Sequence, residues 1–132
     1  MSRLMSVAYT EDAVTARVKT VTRRTGWWRD VRGKRLVLPG HEVTLCRKVM
    51  GRKKGEPLVR LVDVEVVDVR REPLARMLED EEYGRREVAL EGFPEMEPID
   101  FVRTYFLDAQ RLDLRVSVTR IEWRYLDGEA TS

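Results

Sequence analysis

A chain of 132 residues in which 42% are apolar and 36% charged is large enough to bury a hydrophobic core without disulfides or a structural metal, and too short for two domains of ordinary length. The single cysteine excludes an internal disulfide and, with no apolar run long enough for a signal peptide or a membrane span, sets the expectation of a soluble, cytoplasmic protein. The net charge of +2 hides a segregation: residues 1–60 hold 15 Lys and Arg against 5 Asp and Glu, whereas residues 61–132 hold 10 against 18. The fold must bring an acidic segment against a basic one or present them on different faces, and one side of the protein is basic. The expected organisation is one domain over 1–132, with a core at about 5–126 and a flexible tail over 127–132.

In chain order, "LMSVAYT" is short, apolar and β-leaning. Thr10 then offers an N-cap with Glu11 and Asp12 in the first turn, so a short helix is predicted over 11–17. The basic segment that follows is broken at Gly26 and Gly33 and ends in a Pro39–Gly40 turn, which makes His41 an exposed turn residue. "EVTLCRKV" alternates as a half-buried strand that buries the Cys46 thiol, "MGRKKGEP" is a basic loop, and "LVRLVDVEVVDV" returns, so the three form a hairpin. The return strand changes parity after Val66, which predicts a bulge or bend there.

The acidic half supplies helix. Leu74, Met77 and Leu78 predict one helix over 72–80, and Ile99, Val102 and Phe106, with Pro98 in the first turn, predict another over 98–107. The acid run Glu79–Asp80–Glu81–Glu82 reads as a solvated face. "LDLRVSVTRIEWRYL" alternates and then switches parity, so it is read as one strand with a second bulge or as two strands. The resulting order, β-α-β-loop-β-β-α-α-β with long bent strands, suggests an α+β fold: a curved mixed barrel with helices over its openings.

Between residues 18 and 36 the chain interleaves cations with two adjacent tryptophans. Lys and Arg bind phosphates and unpaired bases stack on aromatic faces, so Arg23, Arg24, Trp27, Trp28, Arg29, Arg32 and Lys34 suit single-stranded or flipped-out nucleotides better than uniform duplex. The alternative is one tryptophan closing the core beside a solvated basic face. Arg52, Lys53 and Lys54 form a second basic loop, either phosphate-contacting or simply solvated. There is no Gly-rich phosphate loop, no Cys/His set with metal spacing and no second histidine, so neither a metal nor a cofactor is expected.

Three motifs in order, "KTVTRR", "PGHEVTL" and "EGF" followed by "FVRTYF", with a terminal "VTRIEW", resemble the ASCH-domain family, whose fold is a small PUA-like mixed β-barrel. The matching positions are Lys19, Thr20, Thr22 and Arg24, then Gly40, Val43 and Leu45, then Glu91, Gly92 and Phe93. Arg17 stands where the family usually has Gly, and His41 where it usually has Asp. Relatives of this fold class are similar to domains that read modified or structured RNA. One branch of the family removes the acyl group from acetylcytidine, and other members are single-strand ribonucleases. The amidohydrolase resemblance implies Lys19 as proton acceptor, Thr22 as nucleophile and Glu91, opening the distal helix, as proton donor.

The chemistry sets conditions of its own. A threonine hydroxyl needs a base, and a lysine serves only when desolvation or neighbouring cations depress its pKa. Lys19 and Thr22 would diverge on a regular strand, so convergence needs a non-strand backbone between them. The same cluster could instead bind a base edge without reacting, and a ribonuclease would call on His41. The expectation is a monomeric module for RNA or a modified nucleoside, with no membrane partner, holding Lys19, Thr22, Arg24 and Glu91 at the floor of a basic cleft.

Overall fold

The computed structural model describes residues 3–127. Five strands, β1 (Arg3–Ser6), β2 (Val21–Arg24), β3 (Glu42–Cys46), β4 (Arg60–Pro73) and β5 (Ser117–Tyr125), form one curled sheet in the order β1-β3-β4-β5-β2. The β1–β3 pair is parallel and the other pairs are antiparallel. The sheet is a half-barrel whose concave face holds Met5, Val43, Leu45, Val64, Ile121 and Trp123. Its two edge strands are bridged by a side chain: Arg24 Nη2 on β2 donates to the Ser6 carbonyl at the end of β1, at 2.5 Å.

The first helix, α1 (Glu11–Thr15), is shorter than predicted because its exit is a tight reversal. Arg17 takes a left-handed φ of 63°, its N–H donates to the Val14 carbonyl and that of Val18 to the Ala13 carbonyl. This is the bonding of a Schellman cap, where glycine is favoured. Arg17 tolerates the position through side-chain bonds to the Val14 and Thr15 carbonyls and an ion pair with Asp127. The cap is thus closed without a glycine. The rest of the expected tail, 128–132, lies outside the described residues.

The hairpin of β3 and β4 forms as predicted, with Cys46 fully buried and a register shift between Val66 and Asp68. Val67 is the extra residue and is 42% exposed, while Val69 returns to the same core as Val64 and Val66. The other predicted bulge is absent: β5 is one strand in regular register with β2. Its parity switch arises because both its faces are covered. Val118 packs into a second core with Leu74, Met77, Val88, Phe101 and Phe106, whereas Ile121, Trp123 and Tyr125 face the half-barrel. Leu112 and Leu114 belong to the turn before β5 and pack on that second core.

The helix predicted over 72–80 is corrected. β4 continues through Glu72 and Pro73, leaving only the single turn α2 (Arg76–Glu79). The long helix of the acidic half is α3 (Glu81–Leu90), which begins inside the acid run: Asp80 caps it through the Tyr83 N–H at 3.1 Å, and Glu81 and Glu82 occupy its first turn. Its buried residues are Tyr83, Gly84, Glu87 and Val88. Half of that face is polar or lacks a side chain, so apolar periodicity does not reveal it. The last helix starts at Pro98 as predicted, as α4 (Pro98–Val102), and runs on as a π-helical segment, Arg103–Asp108. No helix among the described residues is long and apolar enough to cross a membrane.

Gly84 fixes how closely α3 approaches α2, since a Cβ there would lie 2.1 Å from the Met77 carbonyl oxygen. Backbone cannot yield as a side-chain tip does. Gly84→Ala is therefore expected to destabilise the protein by about 3 kcal/mol, at the upper end of ordinary overpacking costs, read as a lowered urea midpoint. Gly26→Ala, with nothing within 4 Å of the new methyl, is the comparison.

Candidate functional site

Two helix ends converge to make the site. After the α1 cap, Lys19 is still outside the strand, with its N–H on the Ala13 carbonyl, and β2 begins only at Val21. At the far end of α3, Gly92 (φ 106°) donates to the Ala89 carbonyl and Phe93 to the Val88 carbonyl, a second Schellman cap. The absence of a Cβ on Gly92 lets this end approach α1, because a Cβ would sit 2.9 Å from that of Ala13. Glu91 is therefore the cap residue that closes α3; the expectation that it opens the distal helix is corrected.

Lys19 Nζ donates to the Glu91 carbonyl at 2.7 Å and to its Oε1 at 3.3 Å, with both side chains buried. On β2 the side chains alternate. Thr22 and Arg24 turn one way, and Arg24 Nε donates to Thr22 Oγ1 at 3.2 Å. Arg23 turns the other way, into a buried cluster against α3, where it reaches Glu72 Oε2 at 2.9 Å, Glu87 Oε1 at 2.6 Å and Glu91 Oε2 at 3.0 Å. Arg120, opposite Arg23 on β5, donates to both oxygens of Glu87, at 2.5 and 3.1 Å. The Tyr83 hydroxyl donates to Glu72 Oε1 at 2.7 Å.

This electrostatic setting splits the cations. Burial pushes Lys19 below the usual lysine range, aided by Arg24 and Arg23 and opposed by Glu91. Burial also lowers Arg24. For Arg23 the three carboxylates outweigh burial and hold it firmly charged. Burial works against ionisation of Glu72 and Glu87, but Arg23 and, at Glu87, Arg120 overcome it, and both carboxyls lie below their ordinary value. Burial, with Arg24 and Arg23 nearby, thus outweighs Glu91 in disfavouring a charged Lys19.

Lys19, Thr22, Arg24 and Glu91 line one cavity of about 210 Å³. Its walls add Tyr9, Phe93 and Tyr105, of which Phe93 and Tyr105 stack at 5.1 Å and Tyr9 lies 5.8 Å from Tyr105. Gln110, after the π-helical segment, completes the rim. The aromatic wall and the carboxylates of Glu72 and Glu87 were not found by sequence reasoning, because nothing in their local spacing marks them.

Apart from Arg23, the remaining predicted binding residues do not share this cavity, so the single basic cleft expected from the sequence is corrected to separate places. Trp27 and Trp28 are half-buried against the half-barrel core. Arg29 is exposed and donates to the Gly33 carbonyl, while Arg32 and Lys34 line a second cleft together with His41. Arg52, Lys53 and Lys54 form the exposed tip of the β3–β4 hairpin, with Arg52 bonded to the Val49 carbonyl and the Lys53 N–H to Glu56. Arg23 is structural in position, though it touches the cavity wall. Among the described residues no group of three or more His, Cys, Asp or Glu is placed to hold a metal ion.

No family model and no curated protein matches the chain. Among solved structures, an ASCH domain from Lactobacillus crispatus superposes with a TM-score of 0.59 over 93% of this chain and 79% of that one, at 11% identity. The chain has the ASCH fold. The hypothetical protein PH0355 is similar too, with a TM-score of 0.57 and 20% identity over 96% of this chain and 100% of that one. At such identities the likeness is one of fold. His41 Nδ1 accepts the Leu38 N–H at 3.1 Å across the Pro39–Gly40 turn.

The buried charge cluster makes stability acid-sensitive in a definite direction. Glu72 and Glu87 have folded pKa values below the ordinary 4.5, so their contribution is complete above that pH and is lost as pH falls through the folded values. Glu87→Gln, which strips Arg23 and Arg120 of a shared partner, is expected to cost about 3–5 kcal/mol near neutrality and to flatten the acid limb of a stability-versus-pH curve. An unchanged acid limb would show that Glu87 does not govern it.

Proposed function

We propose that the cavity takes one nucleoside-sized ligand and hydrolyses an acyl amide on the exocyclic amine of its base. The observation that carries this reading is the burial of Lys19, with a lowered pKa, in a small cavity shared with Thr22 and Glu91. At about 210 Å³ the cavity is smaller than the roughly 300–1,000 Å³ of drug-sized sites. That size suits a single base against Phe93 and Tyr105 and is too small for a run of nucleotides. The motif resemblance to acetylcytidine amidohydrolases assigns the same three residues.

The resting hydrogen bonds suit the chemistry. Thr22 Oγ1 accepts from Arg24, which leaves its own proton to be given up. Neutral Lys19 takes that proton as Oγ1 attacks the acyl carbon, and the carbonyl electrons move onto oxygen, beside the Arg24 guanidinium. Collapse of the tetrahedral intermediate breaks the C–N bond. The proton held on Lys19 passes through Glu91 Oε1, 3.3 Å away, to the departing amine. Water then cleaves the threonine ester, releasing the carboxylic acid and restoring the hydroxyl. A ribonuclease site built on His41 would lie apart from this cavity, since His41 lines the second cleft.

Incubation with acetylcytidine, followed by chromatography, is expected to yield cytidine and acetate. Thr22→Ala and Lys19→Ala should each lower kcat/KM by about 10²–10⁴-fold. Because Lys19 must be unprotonated to act, kcat/KM should rise with pH and level off below the ordinary lysine value of 10.5. Lys19→Arg, a permanent cation, should be as inactive as the alanine variant. Saturable cytidine binding without any acetate release would reduce the site to a reader.

A further inference from the structure

Of the chain's five lysines, Lys34, Lys48, Lys53 and Lys54 reach solvent and Lys19 alone is buried, at 3% exposure. It still meets open space, because it lines the cavity of about 210 Å³ together with Thr22 and Arg24. The hydrogen bonds of its Nζ are two, both to Glu91: the carbonyl at 2.7 Å and Oε1 at 3.3 Å. An ammonium carries three donors, so a charged Lys19 would have one without a hydrogen-bond acceptor, with only the Trp123 ring 6.0 Å away. A neutral amine has two N–H groups for the two acceptors and keeps its lone pair free. The lowering of its pKa by burial agrees with that count. A neutral amine in a cavity is a nucleophile as well as a base.

The same cavity holds a cation fitted to a leaving group. Arg24 donates through Nε to Thr22 and through Nη2 to the Ser6 carbonyl, while Nη1 has no hydrogen-bond partner among the described residues. The carboxylate that acts on its charge is Glu91, which Lys19 and Arg23 already share. A nucleophilic amine next to an arginine suits an electrophile whose leaving group is a compact anion, and guanidinium and phosphate match as donors and acceptors. Phe93 and Tyr105 add apolar walls, and the size of the cavity limits the electrophile to a small one.

We infer that Lys19 is a covalent modification site, taking the acyl group of small acyl phosphates such as acetyl phosphate that enter the cavity. The Nζ lone pair attacks the acyl carbon and the carbonyl electrons move onto oxygen. When they return, the bond from the acyl carbon to the phosphate oxygen breaks, and inorganic phosphate leaves with that electron pair beside Arg24. The proton lost by Nζ passes to Glu91 Oε1, its hydrogen-bond partner, and on to water. The product, an Nζ-acyl lysine, has one N–H for Glu91, no charge and no basic lone pair, and its acyl group occupies space shared with Thr22. Acylation therefore switches the site off. That last consequence rests on the proposed amide hydrolysis; the acylation itself does not.

The test is incubation of the full chain with acetyl phosphate at about pH 7.5, where an ordinary lysine is only about 0.1% neutral, with mass spectrometry of the lysine-bearing peptides over time. Lys19 should gain the acetyl group at least about tenfold faster than each of Lys34, Lys48, Lys53 and Lys54, and the difference should vanish in urea. Arg24→Gln should slow the reaction of Lys19 with acetyl phosphate by about tenfold or more. The uncharged acetyl ester of N-hydroxysuccinimide should label Lys19 in variant and parent alike, which shows that the variant keeps its cavity. Acetylcytidine turnover by the parent should fall in proportion to the fraction of Lys19 acylated. Lys19 modified no faster than the exposed lysines, a preference that survives urea, an unchanged rate with Arg24→Gln, or turnover undiminished in the acylated protein would each overturn the inference. Acylation at Lys19 in a protein that leaves acetylcytidine intact would instead sink the proposed hydrolysis and leave this modification site standing.

Discussion

Arg23 is the point on which the arrangement of the molecule turns. Its guanidinium gathers carboxylates from β4 (Glu72), the middle of α3 (Glu87) and the end of α3 (Glu91), all buried. An isolated ion in that position would cost several kcal/mol of lost hydration. The planar fork repays this only because each of its nitrogens has a carboxylate to meet, with the Tyr83 hydroxyl beside them. Apolar residues of similar volume could hold a helix on a sheet as firmly. They could not set its rotation and advance so narrowly, because greasy contacts slide where directed bonds do not.

That register is what places Glu91 beside Lys19. With Glu91 Oε2 committed to Arg23, Oε1 and the Glu91 carbonyl are left for the lysine. The pull on Lys19 toward the charged form is thereby shared with a stronger competitor, and burial decides its protonation. One carboxylate serves two masters, a permanent cation and a switchable one. The buried charge cluster and Lys19 are a single electrostatic system, and a substitution in one reaches the other.

Much of the architecture is legible in the alternation of the strands: the β3–β4 hairpin, the change of parity at Val66, the starts of the helices at Thr10 and Pro98. The failures have a common physical source. Periodicity sees only apolar faces, and α3 buries Gly84, Glu87 and Tyr83. β5 is covered on both sides, so its pattern imitates a bulge. In the site, Lys19, Thr22 and Glu91 were recognised by motif order rather than by spacing, and their convergence depends on two helix caps that no period encodes. Arg23 reads in the sequence as one more ligand-facing cation. Its role rests on residues 49, 64 and 68 positions away, partners that a local scan cannot supply.

The seam between β1 and β2 gives the half-barrel a mechanical property. Every other strand boundary is a ladder of backbone bonds, but at these two edges Arg24 reaches across to the Ser6 carbonyl. Ser6 and Arg24 both line the cavity of Lys19 and Thr22. That wall is therefore held at the seam by a side chain and not by a ladder of backbone bonds. Because the same guanidinium also donates to the Thr22 hydroxyl, the closure of the seam and the orientation of that hydroxyl depend on one side chain.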